Sequence, residues 1–359
     1  MDFDPQIKQD AWLNYAKLSY EIGNPYNSVA EVIQEYISAY PEGSDHAEIK
    51  EYLVSAYLSS NDYQGALDYL KTADSEDDDA YHKVAFLYGI QLFQNGNYQD
   101  AVVNFDLSIN TSSNSVYKAK SLFWKGESLY RLKSYEAAQK SFENFKALPE
   151  SKETKELDNL LYNQAYTFFQ LKDYNQAGGH FNEYISSSEN ENLINDSYLR
   201  LGDCFFALSN YFKAIPAYEK VIEANENDID YAQLQIAFCH GYMGDNNKKI
   251  ETLLDFTRIN LKSTLRDDAL YELGNSNVKQ NELDRDLEAY DEVITHYRMS
   301  SLFSKSLLKQ GLVYFNTNQG NEALEKYKTV VNNYPGTEEA KEAIAKAKQI
   351  YVQQGRVDE

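Results

Sequence analysis

Two stretches, YGIQLFQNGNYQDAVVNF (Tyr88–Phe105) and KGESLYRLKSYEAAQKSF (Lys125–Phe142), share one frame. In each, a glycine (Gly89, Gly126) is followed nine residues later by Tyr, twelve later by Ala and sixteen later by Phe. The frame repeats in both directions along the chain. Ala165, Tyr174, Ala177 and Phe181 fit it, as do Gly202, Tyr211, Ala214 and Tyr218. Upstream lie Val54, Tyr63, Ala66 and Leu70, and more loosely Lys17, Tyr26, Val29 and Ile33. Downstream come Ala237, Asn246, Lys249 and Leu253, then Gly274, Leu283, Asp286 and Tyr290, then Gly311, Gly320, Ala323 and Tyr327. The first members stand 37, 35, 37, 39, 37, 35, 37 and 37 residues apart, which defines nine units.

Each unit has one physical reading. A 3.6-period pattern such as KAKSLFWKGESLY precedes a short polar turn, RLKS, and a second helical pattern, YEAAQKSFENFKAL. The unit is therefore an antiparallel helical hairpin. A glycine inside the first helix costs about 1 kcal/mol of propensity, so its recurrence at one register implies a close partner. The Ala twelve residues on is the matching small residue, and Tyr and Phe at the other two registers fill the space between helices. Twelve aromatics, from Tyr26 to Tyr211 and from Phe105 to Tyr327, are expected in the core.

One hairpin cannot bury its apolar face alone, so the units stack. The expected repeats span roughly 4–42, 45–75, 80–111, 115–149, 153–188, 190–225, 227–262, 264–299 and 301–335 of a single domain, 1–359. Pro5 after Asp4 suits the first turn of the opening helix. After Pro335-Gly336, a capping helix is expected over 337–354, with early glutamates and later lysines that suit the helix dipole.

Composition narrows the function. The 359 residues are 43% hydrophobic, enough for a core, and carry 34 Lys and Arg against 56 Asp and Glu, a net charge of −22. Such acidity opposes nucleic acid and anionic membranes, which need cationic side chains. No apolar run approaches the roughly 20 residues of a membrane helix. The start, MDFDPQIKQD, is not a signal peptide. The protein is thus expected in the cytoplasm if Met1 is its natural start, or it is an excised piece or mature form.

Cys204 and Cys239 are too few for a disulfide framework or a thiolate zinc cage. They occupy equivalent registers in neighbouring units and read as small buried apolar residues. The five histidines show no metal-ligand spacing and read as solvated or core residues. The acidic run DSEDDDA (Asp74–Ala80) lacks the central Gly and terminal Glu of an EF-hand. Gly178-Gly179 follows no strand, so a phosphate loop is not expected. No nucleophile–base pair is apparent, and neither cofactor, metal nor catalysis is expected.

The Gly, Tyr, Ala and Phe/Tyr intervals, with Pro41 and Pro335 closing units, resemble the tetratricopeptide repeat over essentially the whole chain. The resemblance implies an all-α, right-handed superhelical solenoid of about nine hairpins plus a capping helix. The longer period and connections such as SKETKELDNL are similar to repeats of bacterial cell-envelope proteins. In this family the first helices line a concave groove that takes a peptide or partner segment. Mapped here, the groove holds Phe86, Phe123, Tyr162 and Tyr271 at one register, and Phe93, Tyr130, Phe169, Phe206 and Phe315 one or two turns on. Tyr166 and Phe238 lie between, with Arg131, Arg200, Lys305 and Lys309 placed to orient acidic groups of a ligand. Asn275, Lys305 and Lys309 fall near the family's carboxylate-clamp registers, but Tyr271 stands where that clamp has Lys.

The expectation is a non-catalytic scaffold for a protein or peptide partner, as a monomer or part of a larger complex, without nucleic acid. The alternatives are a structural module of a cell-envelope assembly, placing the protein in the periplasm or envelope and acting through loops such as Ser151–Asn159, and a glycan- or peptidoglycan-binding protein.

Overall fold

The computed structural model describes residues 4–41, 46–72, 79–110, 116–224, 227–278 and 283–356; the side chains of 46, 277–278 and 283–286 are outside the description. The acidic run's Asp74–Asp78, the His46 side chain and the Asp286 side chain therefore lie outside the described residues. The described residues form nineteen α-helices, and their packing divides the chain into two compact units, Met1–His180 and Phe181–Glu359.

In the first unit the hairpins are α1 (Pro5–Ile22) with α2 (Val29–Ala39), α3 (His46–Ser59) with α4 (Tyr63–Thr72), α5 (Asp79–Gln94) with α6 (Tyr98–Ile109), and α7 (Val116–Arg131) with α8 (Tyr135–Ala147). Then come α9 (Leu160–Gln170) and α10 (Tyr174–Ser187), the division falling inside α10. The second unit continues with α11 (Glu191–Ala207), α12 (Tyr211–Ala224), α13 (Ile229–Tyr242), α14 (Asn246–Ile259), α15 (Arg266–Val278), α16 (Leu283–His296), α17 (Phe303–Asn316), α18 (Gly320–Asn333) and α19 (Glu338–Gln353). Successive helices pack on one another from α1 to α9 and from α11 to α19, as α5 on α6, α6 on α7 and α7 on α8.

Local chemistry sets the ends. Asp4 accepts from the Gln6 amide ahead of Pro5, and Ser28 and Glu31 form a reciprocal capping box. Thr337 caps α19, one residue after Gly336 at φ +85°. Seven hairpin turns close alike: the amides of Asp62, Asn97, Ser134, Asp173, Asn210, Asp245 and Gln319 each donate to a carbonyl five residues back. The residue before each adopts the left-handed conformation, from Asn61 and Lys133 to Asn318. This is the Schellman arrangement, which satisfies carbonyls orphaned at a helix end.

The close approach at the glycine register is real, and an aromatic edge rather than the register Ala fills it. A Cβ on Gly126 would lie 2.6 Å from Phe142 Cε1, and one on Gly202 would lie 2.5 Å from Tyr218 Cε1. Phe105, Phe142, Phe181, Tyr218, Tyr290 and Tyr327 are fully buried. The other aromatic register corrects the sequence reading: Tyr26 is 89% exposed, and Tyr63, Tyr98, Tyr135, Tyr174 and Tyr211 are half-buried. Gly320 replaces that Tyr because α19 covers it, with Ile350 Cγ2 3.2 Å from where its Cβ would be.

The long connection after α8 turns inward. Its two 3-10 turns, Pro149–Glu153 and Lys155–Asn159, bury Ser151 and Thr154, and Trp124 donates to Glu156 at 3.1 Å.

Candidate functional site

The first helices α7 and α9 bring four of the sequence-predicted groove residues together. Tyr130, Arg131, Tyr162 and Tyr166, with Glu127 and Asn163, line a cleft of about 210 Å³. Helical spacing explains the set: 127, 130 and 131 lie on one face of α7, and 162, 163 and 166 on one face of α9. Tyr162 and Tyr166 meet edge to face at 5.0 Å, and Tyr130 meets Tyr135 the same way at 5.5 Å. Burial pushes the Tyr130 hydroxyl up, with a Gln170 hydrogen bond opposing it. Burial likewise raises the Glu127 carboxyl, and the charge of Arg131 only partly offsets this. Arg131 itself is exposed at the rim.

Other predicted groove residues are structural. Phe86 (8% exposed) packs between Phe105 and Tyr117, and Phe123 (4%) against Phe142 and Phe145 at 5.6 and 5.5 Å. Neither offers a surface to a ligand, because the helix of the same or the following hairpin covers that face. Phe93, Phe169 and Phe206 each meet the tyrosine five residues on, Tyr98, Tyr174 and Tyr211, at 5.3, 5.4 and 5.5 Å. Those pairs brace the hairpin turns, each contributing about 0.5–1.5 kcal/mol beyond area burial.

In the second unit the predicted residues do not form one cleft. Arg200 is held by its own chain, 2.9 Å from Asp203 and 3.7 Å from Asp196. Asp203 also accepts from Tyr218 and Tyr231 at 2.9 and 3.0 Å, although burial raises its carboxyl overall. Phe238 lies 6.0 Å from the ammonium of Lys249, which also ion-pairs with Glu272 at 2.8 Å. Lys249 stands at the small-residue register and is nearly buried. Tyr271 is half-buried against Tyr290 and the Leu270, Val293 and Leu302 cluster. On α17, Lys305 is exposed and Lys309 half-buried, and Asn275 accepts from Tyr290 at 2.9 Å. Phe315 lies under Lys346 at 5.3 Å.

Glu127 is the residue that sequence reasoning missed. It follows the register glycine, the position of Asp203 and Asn275, which accept hydroxyls from Tyr218 and Tyr290. Its own hairpin carries Phe142 at that register, with no hydroxyl to give. Among the described residues, no hydrogen bond or ion pair reaches the Glu127 carboxylate.

Burial pushes the thiols of Cys204 and Cys239 up to about 12, so both are inert. His82 is buried, and His180 Nδ1 lies 3.0 Å from the Gln176 carbonyl. Among the described residues, no three His, Cys, Asp or Glu side chains are grouped to hold a metal, and no helix is long and apolar enough to cross a membrane.

Two segments, 196–228 and 305–337, match family models described as tetratricopeptide repeat. No curated protein matches the chain in sequence. The C-terminal part of a TPR repeat-containing protein from Cytophaga hutchinsonii has a similar structure, at 16% identity and TM-score 0.59, covering 72% of this chain and 99% of that one. A tetratricopeptide repeat protein from Parabacteroides merdae gives 14% identity and TM-score 0.48, over 74% and 98%. YrrB, described as a TPR protein with an unusual peptide-binding site, gives 17% and 0.45, over 56% and 95%. The chain thus contains tetratricopeptide repeats, matched at 196–228 and 305–337, and its other stacked hairpins share their residue frame.

Proposed function

We propose that the protein is a non-catalytic interaction scaffold that holds an extended segment of a partner protein against α7 and α9. The observation that carries this reading is the cleft between those helices, where Tyr130, Arg131, Tyr162 and Tyr166 converge. Half-buried tyrosines give large contact area for little lost rotamer freedom, the profile of hot-spot residues. The partner's backbone lies along the helices and one side chain enters the cleft. Selection from a displayed random-peptide library tests this, using the wild type and Tyr162→Ser in parallel. The reading requires a consensus that Tyr162→Ser loses while keeping wild-type helicity; an identical consensus from both refutes it.

A second reading, an assembly module of a bacterial cell envelope, draws on exposed apolar side chains in the second unit's connections. Met299 is 99% exposed, and Ile259 and Leu261 stand out beside the α14–α15 connection. Changing all three to Asp would disrupt assembly under this reading and leave peptide selection intact.

A further inference from the structure

We propose that the α7–α9 cleft recognises a cationic side chain, a lysine or arginine of the partner segment, with Glu127 as its counter-ion and Tyr130, Tyr162 and Tyr166 as its walls. This rests on the scaffold reading and specifies what the scaffold selects. The cleft's volume of about 210 Å³ is below the roughly 300–1,000 Å³ of drug-sized sites and suits a single side chain.

Three observations converge. The first is the set of lining groups: a carboxylate and three phenol rings, which attract a cation by charge and by ring quadrupole when it sits within about 6 Å of a ring centroid. The second is that the Glu127 carboxylate lacks the partner its register supplies elsewhere. Asp203 has Tyr218, Tyr231 and Arg200, and Asn275 has Tyr290. Opposite Glu127 stands Phe142, so a partly buried acid faces the cleft with neither hydrogen bond nor ion pair among the described residues. A buried charge without a partner is costly, and an incoming ammonium or guanidinium relieves it. The third is a precedent in the same chain. In the second unit, at other registers, the Lys249 ammonium lies 6.0 Å from the Phe238 ring and 2.8 Å from Glu272. There the chain supplies its own cation to an aromatic-plus-carboxylate seat, whereas the α8 residue at the register of Lys249 is Ala138, which brings no charge to the α7–α9 cleft.

The other charged group at the cleft is Arg131, exposed at the rim one turn beyond Glu127. It competes weakly for the carboxylate from solvent, and it is placed to meet an acidic group beside the entering cation. The net charge of −22 adds long-range attraction for a basic segment. Burial raises the Glu127 carboxyl, so acidification abolishes cation binding at a higher pH than an ordinary glutamate would require.

The test uses the full chain and three blocked tripeptides, Ac-Gly-Lys-Gly-NH2, its norleucine analogue and its glutamate analogue, titrated to millimolar concentration by saturation-transfer NMR. The lysine peptide should bind at least tenfold more tightly than norleucine, the preference should collapse in Glu127→Gln, and salt should weaken it. Equal binding of lysine and norleucine overturns the cation assignment, as does undiminished lysine preference in Glu127→Gln. Tighter binding of the glutamate peptide assigns the site to Arg131 and also overturns it. Absence of binding by all three overturns it too. The scaffold reading fails separately, when Tyr162→Ser leaves the selected consensus unchanged.

Discussion

Replacing Gly126 by Ala sets two known effects against each other, and the structure decides between them. Alanine is favoured over glycine in a helix by about 1 kcal/mol. The new methyl carbon would stand 2.6, 2.8 and 2.9 Å from Phe142 Cε1, Cδ1 and Cζ, whereas carbon atoms rest at about 3.5–4.0 Å. Phe142 cannot step aside, since it is fully buried and wedged edge to face against Phe123 at 5.6 Å. Overpacking a filled core costs about 1–3 kcal/mol, so the net change is a loss of up to about 2 kcal/mol. Gly179, in α10 with nothing within 4 Å of its added Cβ, supplies the control: Gly179→Ala should gain about 1 kcal/mol. Urea unfolding followed by circular dichroism measures both. The double variant Gly126→Ala/Phe142→Leu should recover much of the loss, giving a coupling energy of about 1–3 kcal/mol. If Gly126→Ala stabilises as much as Gly179→Ala, the close-approach explanation of the repeat glycine is wrong.

Tyr218→Phe and Tyr327→Phe remove the same atom and should have opposite signs. The first loses a bond to the Asp203 carboxylate, about 1.5–3 kcal/mol, while the second removes a buried hydroxyl with no partner among the described residues, so its melting temperature should hold or rise. Glu127→Gln should stabilise the protein at neutral pH and leave it unchanged in acid. A carboxyl raised by burial contributes most to stability while protonated, below its ordinary value, and loses that contribution as pH rises through the raised value. Comparing melting temperatures of Glu127→Gln and wild type across pH checks this sign. Phe123→Ser should cost about 3–5 kcal/mol, as an emptied core site does, whereas Tyr162→Ser should leave most stability intact and affect binding; paired unfolding and peptide titrations separate them.

The hairpin frame was legible because packing repeats it: the glycine of one helix meets the aromatic sixteen residues on in pair after pair. The start of the final helix at Thr337 was legible too, from a capping residue after Pro-Gly. The candidate site was legible only in part. Periodicity places Phe86, Phe123 and Tyr162 at one register of successive first helices, but it does not say which of them a second helix covers. Phe145 covers Phe123, while Tyr162 borders the cleft. Tyr26 looked like core by register, yet it sits in the turn between α1 and α2, beyond reach of a neighbour. Glu127 carried no signal by itself, since a glutamate in a helix usually faces water. The signal lies in comparing registers, where Asp203 and Asn275 face tyrosines and Glu127 faces a phenylalanine.

Whether the α7–α9 cleft holds a partner is tested by photo-cross-linking in the source cells, with a photoreactive amino acid placed at Asn163 inside the cleft or at the exposed Asn144 on α8. One discrete cross-linked partner is expected from position 163, lost when Tyr162→Ser or Glu127→Gln is added, and none from position 144. Cross-linking from position 144 alone, or cross-links from 163 that survive both substitutions, would contradict it.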